Sequence, residues 1–369
     1  MTEQRFLQIH TLTAYTAALL NRDDTGLAKR LRFGGTSRTR ISSQCLKRHW
    51  RLAEDPHALN QIDGAESAYR SRELVTKKVV GTLSDVPKDV VEVIEPTLQT
   101  FLYGDKGLEK KSRQTLLFGE AELAWLAREA RSIADEADGD PEVAKLAAEA
   151  WGKSMKGNLK AMVEAAAIPG GITGALFGRM VTSDPNANIS APIHVAHAFT
   201  VHQEESESDY FTALDDLAEE GVTGADTIQD TELTSGLFYG YVVIDLPGLR
   251  SNLGNDARLV KEVLHSLVYL ISEVSPGAKL GSTAPYGRAA MMILEVGNRQ
   301  PRSLANAFRD PCAPSVERAE SAIRDHLAAL DAAYDTGEAR RVMSLSNVAI
   351  PGATPGNLSE LANWARELA

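Results

Sequence analysis

The chain has 369 residues, of which 43% are hydrophobic and 24% charged, enough to bury a sizeable core and too apolar for a disordered or fibrous protein. At about 150 residues per domain the length predicts two or three domains. The net charge of −11 argues on its own against nucleic acid, but residues 1–51 carry +7 and the remainder −18. Thr25 to Ala53 holds eight Lys/Arg and no acid, whereas Met180 to Leu249 holds thirteen Asp/Glu and neither Lys nor Arg. Such asymmetry predicts a polyanion site on one part of an otherwise acidic molecule. The two cysteines, Cys45 and Cys312, exclude a disulfide framework and predict reduced thiols. The N-terminus lacks a basic start followed by an apolar run, so a soluble, cytoplasmic protein with no membrane partner is expected.

In chain order, residues 5–13 are rich in β-formers and predict a strand. A loop follows at Asn21-Arg22-Asp23-Asp24, then a basic stretch to Phe33-Gly34-Gly35. Ser42 or Ser43 caps a helix running to about Ala53, because a serine oxygen satisfies free first-turn amides. Residues 60–180 are helical in pattern, with Glu120–Ala137 and Pro141–Ala167 separated by Gly139-Asp140-Pro141. A Gly-rich stretch at 169–174 ends this region. Residues 192–202 look extended, and an acidic, loop-like segment continues to about Thr234. Leu237–Leu246 is the clearest strand. Asp256–Ser272 has helical periodicity, Ala289–Val296 predicts a strand, and helices follow at about 316–335 and 357–368. A β-α start, a long helical insertion and a β-α-β return predict an α+β protein with a ferredoxin-like βαββαβ core and helices on one face of its sheet. RNA-recognition modules use that core.

No Walker A pattern and no Gly-x-Gly-x-x-Gly after a strand is present, so no nucleotide cofactor is expected. His194, His197 and His202 invite a metal reading. On one strand, however, His194 and His202 would lie about 26 Å apart and His197 would point the other way; no metal is expected. Asp23-Asp24 and Asp215-Asp216 are carboxylate pairs of the kind that bind metal or move protons, and more often line solvated turns. The basic stretch is sharper. Arg38, Arg40, Lys47, Arg48 and Arg51 surround the predicted helix start, with Lys47 and Arg51 on one face. Free amides at that end suit phosphate. An ordinary surface helix would expect acidic neighbours, and the stretch contains none. Lys279 and Arg288 flank a Gly-containing loop, a weaker candidate for backbone contact or a plain connection.

Phe33-Gly34-Gly35, followed by Arg38-Thr39-Arg40-Ile41-Ser42-Ser43-Gln44-Cys45-Leu46-Lys47-Arg48, resembles the signature of the backbone subunit of the type I-E CRISPR Cascade surveillance complex, the CasC family of the RAMP superfamily. Leu20-Asn21-Arg22-Asp23-Asp24, Gly178-Arg179-Met180-Val181-Thr182-Ser183, Ala196-His197-Ala198, Asp209-Tyr210-Phe211-Thr212-Ala213-Leu214-Asp215-Asp216-Leu217 and Ser303-Leu304-Ala305-Asn306-Ala307-Phe308 agree with it in order and spacing. The resemblance spans about residues 5 to 310.

It implies a right-hand shape: a modified RNA-recognition palm (1–58 and 236–369), helical fingers (59–185) and a β-hairpin thumb (190–235). It implies a ribonucleoprotein in antiviral defence, with copies arrayed head to tail along the spacer of a CRISPR RNA. The guide then pairs with a target DNA strand. Large, small, 5′-end capping and RNA-processing endonuclease subunits complete the complex. Carried over by position, Arg22, Lys29, Arg40, Ser42, Gln44, Lys47, Arg48 and Arg51 would contact the RNA backbone, with Lys279 and Arg288 as further RNA-binding candidates. Met180 and Phe211 would wedge beside a displaced base, or else simply be buried. Neither catalysis nor a cofactor is implied. The rival expectations are a metal-dependent RNA-cleaving backbone subunit of the type III kind, using Asp23 or Asp24, and a stand-alone RNA-binding module.

Overall fold

The computed structural model describes residues 4–155, 158–213 and 227–369, with 211–213 and 227–229 as backbone only. The chain begins with β1 (Phe6–Ala18), β2 (Arg30–Phe33), β3 (Thr36–Ile41) and α1 (Ser43–Arg51). Then come β4 (Ala68–Ser71), α2 (Lys88–Tyr103), β5 (Leu116–Gly119), α3 (Glu120–Ala137), α4 (Pro141–Met155), α5 (Lys160–Glu164) and α6 (Gly171–Phe177). The return carries β6 (Ile193–Val195), β7 (Ala198–Thr200), β8 (Glu205–Ala213), β9 (Thr227–Asp245), α7 (Leu246–Asn252) and α8 (Ala257–Glu273). It ends with α9 (Leu280–Thr283), β10 (Ala289–Gly297), α10 (Val316–Tyr334), β11 (Ala339–Ser344), β12 (Ala353–Pro355) and α11 (Leu358–Arg366). Two compact units result. The first takes Met1–Ala58, His194–Ile244 and Val263–Leu368, and the second Leu59–Ile193 and Asp245–Glu262.

The first unit is built on one sheet, ordered β12-β11-β10-β1-β9-β7-β3-β2, with β6 and β8 also paired to β9. Its centre is the expected α+β core. β1, α1, β7, β9, α8 and β10 follow one another as βαββαβ, and the four strands lie in the order β10-β1-β9-β7. β1 and β10 are antiparallel, Phe6 opposite Gly297 and Leu12 opposite Met291, with a bulge after Leu12. Helices cover both faces of this sheet, not one as expected. On one face Leu12, Leu237, Tyr239 and Ile293 pack with Phe308 and with Ala319, Ile323 and Leu327 of α10. On the other, Tyr15 and Phe238 pack with Ile41, Ala198 and the α1 residues Cys45 and Leu46. Double coverage explains why β10 is apolar almost throughout instead of alternating.

A polar cluster sits inside this core. Glu295 is fully buried and accepts from His10 Nε2 at 2.9 Å, Arg302 Nη1 at 2.7 Å and Arg340 Nε at 2.5 Å. Burial pushes the Glu295 carboxyl up, but hydrogen bonds from His10 and Arg302 outweigh it and hold the group well below its usual range. Burial holds His10 low despite Glu295, so the ring is neutral near neutral pH. It donates from Nε2 to Glu295 and accepts from the Tyr239 hydroxyl at Nδ1, 2.9 Å away.

The second unit packs α2, α3 and α4 around Ile94, Leu98, Leu126, Ala130 and Ala144, beside the short β4–β5 pair. Its organising charge pair is Glu122 and Arg179. Glu122, in the first turn of α3, accepts the amides of Gly119 at 2.7 Å and Gly170 at 2.9 Å.

Several local readings change. The basic stretch forms a hairpin, with Phe33 opposite Thr36 and Gly34-Gly35 as a two-residue turn at φ +61° and +81°. This is the turn geometry whose twist suits a hairpin and which glycine tolerates at both positions. The acidic segment is not a loop: β8 pairs with β9 from Glu205 opposite Ser235 to Ala213 opposite Thr227. From Glu205 to Tyr210 the β8 side chains are exposed, so no apolar alternation betrays the strand. Part of the Gly-rich stretch is helical, as α6, after Gly170 at φ +72°. β11 and β12 extend the sheet beyond the predicted strands. Asp215 and Asp216 lie outside the described residues. Among the described residues no helix is long and apolar enough to cross a membrane.

Candidate nucleic-acid interface

The local build begins at Asn21. Its side-chain oxygen accepts the Ser42 amide at 2.9 Å and its carbonyl accepts the Lys29 amide at 2.9 Å. The Lys29 carbonyl then accepts the Arg40 amide at 2.8 Å. These three bonds fasten the 21–29 loop to the start of α1. Arg22 is exposed and bridges backbone to backbone with Ala28. Asp23 shapes the loop. Its Oδ1 accepts the Thr25 hydroxyl at 2.7 Å, the Thr25 amide at 2.9 Å and the Leu27 amide at 3.1 Å. The Thr25 hydroxyl is the main reason its carboxyl lies below the usual range.

Ser42 is the N-cap of α1. It is buried, with its Oγ accepting the Cys45 amide at 3.3 Å, so its hydroxyl serves the helix end. No acid stands in the first turn. Gln44 and Arg48 are exposed on this helix, and Lys47 and Arg51 half-buried. Arg48 and Arg51 also complement the negative C-terminal end of the helix dipole, the ordinary role of such residues.

The cations converge through tertiary structure. Arg40 donates from Nε to the Arg30 carbonyl at 3.0 Å, and its Nη1 lies 2.9 Å from His197 Nδ1. An arginine can only donate, so Nδ1 is the acceptor and the ring is the neutral Nε2–H tautomer. Partial desolvation holds the imidazole of His197, an exposed residue, below its ordinary value, and next in size are the charges of Arg40, Lys29 and Lys47. Three cations from a loop, a strand and a helix therefore act on one ring. Burial raises the Cys45 thiol against the opposing charges of Lys29 and Arg48, which places Arg48 in the same field. Positive charge of this kind, joined to a capped helix start, holds phosphates without reading bases.

Two cations of the basic stretch are spent elsewhere. Arg38 is fully buried, donating to the carbonyls of Thr200 at 3.0 Å and Phe308 at 3.0 Å, and is a core residue instead of a helix-start cation. Arg30 pairs with Glu204 and Glu232. The acidic partners missing from the stretch itself thus come from the base of the β8–β9 hairpin.

Lys279 stands on the loop before β10 and donates from Nζ to Thr231 Oγ1 at 2.5 Å. Its neighbour Ala278 bridges Leu19 at the end of β1. Arg288 is exposed and lies 3.5 Å from Glu273. Met180 belongs to the second unit, 68% exposed, with its carbonyl accepting from Gln114 Nε2 at 3.0 Å. Phe211 lies on β8 opposite Gln229 in the first unit, and its side chain is outside the described residues. His202 accepts the Leu237 amide at Nε2 and donates from Nδ1 to the Gln203 carbonyl at 2.6 Å. Among the described residues no group of three His, Cys, Asp or Glu side chains is placed to hold a metal ion. His197 and Asn21 stood in the sequence within motifs of the family resemblance, His197 also as a metal candidate and Asn21 as a loop residue, with no role at this site assigned to either. Their partners lie far along the chain, and no local pattern signals them.

The whole chain resembles solved structures. A chain of one titled "CRISPR RNA-guided surveillance complex, pre-nicking" superposes with a TM-score of 0.80 at 22% identity, covering 99% of this chain and 100% of that one. A chain of another, titled "CRISPR RNA-guided surveillance complex", gives a TM-score of 0.61 at 19% identity, with 99% and 100% covered. At these identities the likeness is one of fold. No curated protein matches the sequence. The profile of one family, described as CT1975-like protein, matches residues 7–364, nearly the full length, and the chain belongs to that family.

Proposed function

We propose that this protein is the guide-binding backbone subunit of a Cascade-type CRISPR surveillance complex, of type I-E. It binds CRISPR RNA along the spacer, stacks head to tail with its own copies in the cytoplasm, and presents the guide to a target DNA strand. The large, small, end-capping and RNA-processing subunits join the same assembly. The palm is 1–58 with 236–369, the fingers 59–185 and the thumb 190–235. The observation that carries this reading is the acid-free basic stretch at the capped start of α1, where Arg40 Nη1 lies 2.9 Å from His197 Nδ1 and the charges of Lys29 and Lys47 also act on that ring. Spacers differ in sequence, so the binding must rest on phosphate contacts and stacking instead of base edges. Arg22, Arg48, Arg51, Gln44, Ser42, Lys279 and Arg288 extend the phosphate-binding surface, and Met180 and Phe211 wedge beside displaced bases.

The protein acts as a scaffold without catalysis of its own. In support, the Asp23 carboxylate already accepts three hydrogen bonds within its own turn. The deciding experiment is to purify the tagged protein from its own cells and sequence the RNA that comes with it. Repeat-derived RNA is expected. RNA without repeat sequence, or none, refutes the reading.

A further inference from the structure

The loop before β10 presents an aromatic ring that no part of the proposed site uses. Tyr286 is 79% exposed. Neither its ring nor its hydroxyl has a partner among the described residues. The backbone around it is held firmly. Ser275 Oγ accepts the Gly287 amide at 2.9 Å, donates to the Gly287 carbonyl at 2.8 Å and accepts from the Tyr15 hydroxyl at 3.2 Å. The Tyr286 amide donates to the Ala284 carbonyl at 2.7 Å. Gly287 is pressed onto β1, where a Cβ would come within 2.7 Å of the Ala14 carbonyl oxygen. Buried Pro285 fills the space that a side chain at Gly277 would need. Tyr286 is thus fixed at its backbone and bare at its ring. Residues 274–288 contain Lys279 and Arg288 and no acid, and the nearest acid along the chain, Glu273, lies 3.5 Å from Arg288, which is itself exposed.

We propose that Tyr286 is a stacking platform for one nucleobase of the bound RNA strand, with phosphates of the same strand running past Lys279 and Arg288. The inference rests on the RNA-binding reading and deepens it by naming a contact to a base. With its backbone fixed, an aromatic side chain has only two torsions to lose on binding, and every base offers a flat face, so the contact tolerates any sequence. The flanking charge favours a polyanionic strand over a neutral apolar protein surface.

The test titrates the full chain with labelled poly-uridylate RNA over a range of salt, using the parent, Tyr286→Ala, Tyr286→Phe and Arg40→Ala. Stacking releases no counterions, so Tyr286→Ala should weaken binding roughly 10-fold at every salt with the slope unchanged. Tyr286→Phe should bind like the parent, and Arg40→Ala should flatten the slope. Irradiating the parent on 5-iodouridine RNA should crosslink Tyr286, a readout that needs no variant. Parental affinity in Tyr286→Ala beside a flattened slope in Arg40→Ala overturns the platform and leaves the RNA-binding reading standing. Loss in Tyr286→Phe equal to that in Tyr286→Ala makes the contact a hydroxyl bond and also overturns it. Normal RNA affinity with lost self-association in Tyr286→Ala assigns the ring to a neighbouring copy instead. A parent that binds no RNA removes both readings together.

Discussion

The Arg40 guanidinium reaches His197 Nδ1 at 2.9 Å across 157 positions of sequence. The bond ties β3 to the segment before β7, and with Lys29 and Lys47 it sets the field in which the proposed RNA backbone would lie.

Arg40→Ala and Lys47→Ala should each weaken RNA binding to a similar degree for every spacer sequence. Each lost phosphate contact should also reduce the salt slope by about 0.7 for a single strand. Filter binding over a range of salt checks both expectations. Unchanged affinity and slope in the double variant would remove the phosphate role of these residues.

Acidity should act on this site with a definite sign. His197 and His10 are both held below the ordinary imidazole value of 6.5, first by desolvation. The unfolded chain then takes up protons before the native one as pH falls. The stability these rings contribute is whole above 6.5 and is lost toward the lower native values. The melting temperature should drop between about pH 7 and about pH 5, and by less in His197→Gln. A bound polyanion works the other way, raising the His197 pKa. RNA affinity should therefore rise as pH falls through that range, and titration of His197→Gln should show a flat profile.

Glu122 and Arg179 form a pair with both side chains fully buried, Arg179 Nη1 lying 2.7 Å from Glu122 Oε1. The Arg179 guanidinium also stands 4.5 Å above the Phe118 ring. Removing one partner leaves a buried charge unpaired, so Arg179→Met should cost about 3–5 kcal/mol in denaturant unfolding. Adding Glu122→Gln should recover part of that loss. A double variant as unstable as the sum of the two singles would refute the coupling.

Gly34 and Gly35 occupy the same turn, but only one has a neighbour. A Cβ on Gly34 would overlap the Arg309 carbonyl, while nothing lies within 4 Å of one on Gly35. Both have positive φ, so either substitution by Ala should cost about 1–3 kcal/mol of backbone strain. Gly34→Ala should cost more, because the 309 segment must also move. Equal melting temperatures for the two variants would show that the close approach is not felt.

Local pattern was enough for the elements that carry their own signal. α1 with its serine cap, α3, the apolar run of β10 and the periodicity of α8 depend on neighbours three or four residues away. Arg38, Arg40, Lys47, Arg48 and Arg51 marked the candidate site from residue types alone, and Phe33-Gly34-Gly35 entered only through the family resemblance. Local pattern did not show the β8–β9 hairpin, because the Glu205–Tyr210 side chains of β8 face water and leave no apolar alternation; only the family resemblance implied a hairpin there. Nor could the sequence sort its cations. Arg38, Arg40 and Arg30 stand within ten residues of one another in one acid-free run. Folding buries the first under the Thr200 and Phe308 carbonyls, turns the second to His197 and pairs the third with Glu204 and Glu232. Charge is a property of the residue, but whether it is neutralised, buried or offered to a partner depends on groups that only the assembled sheet brings near.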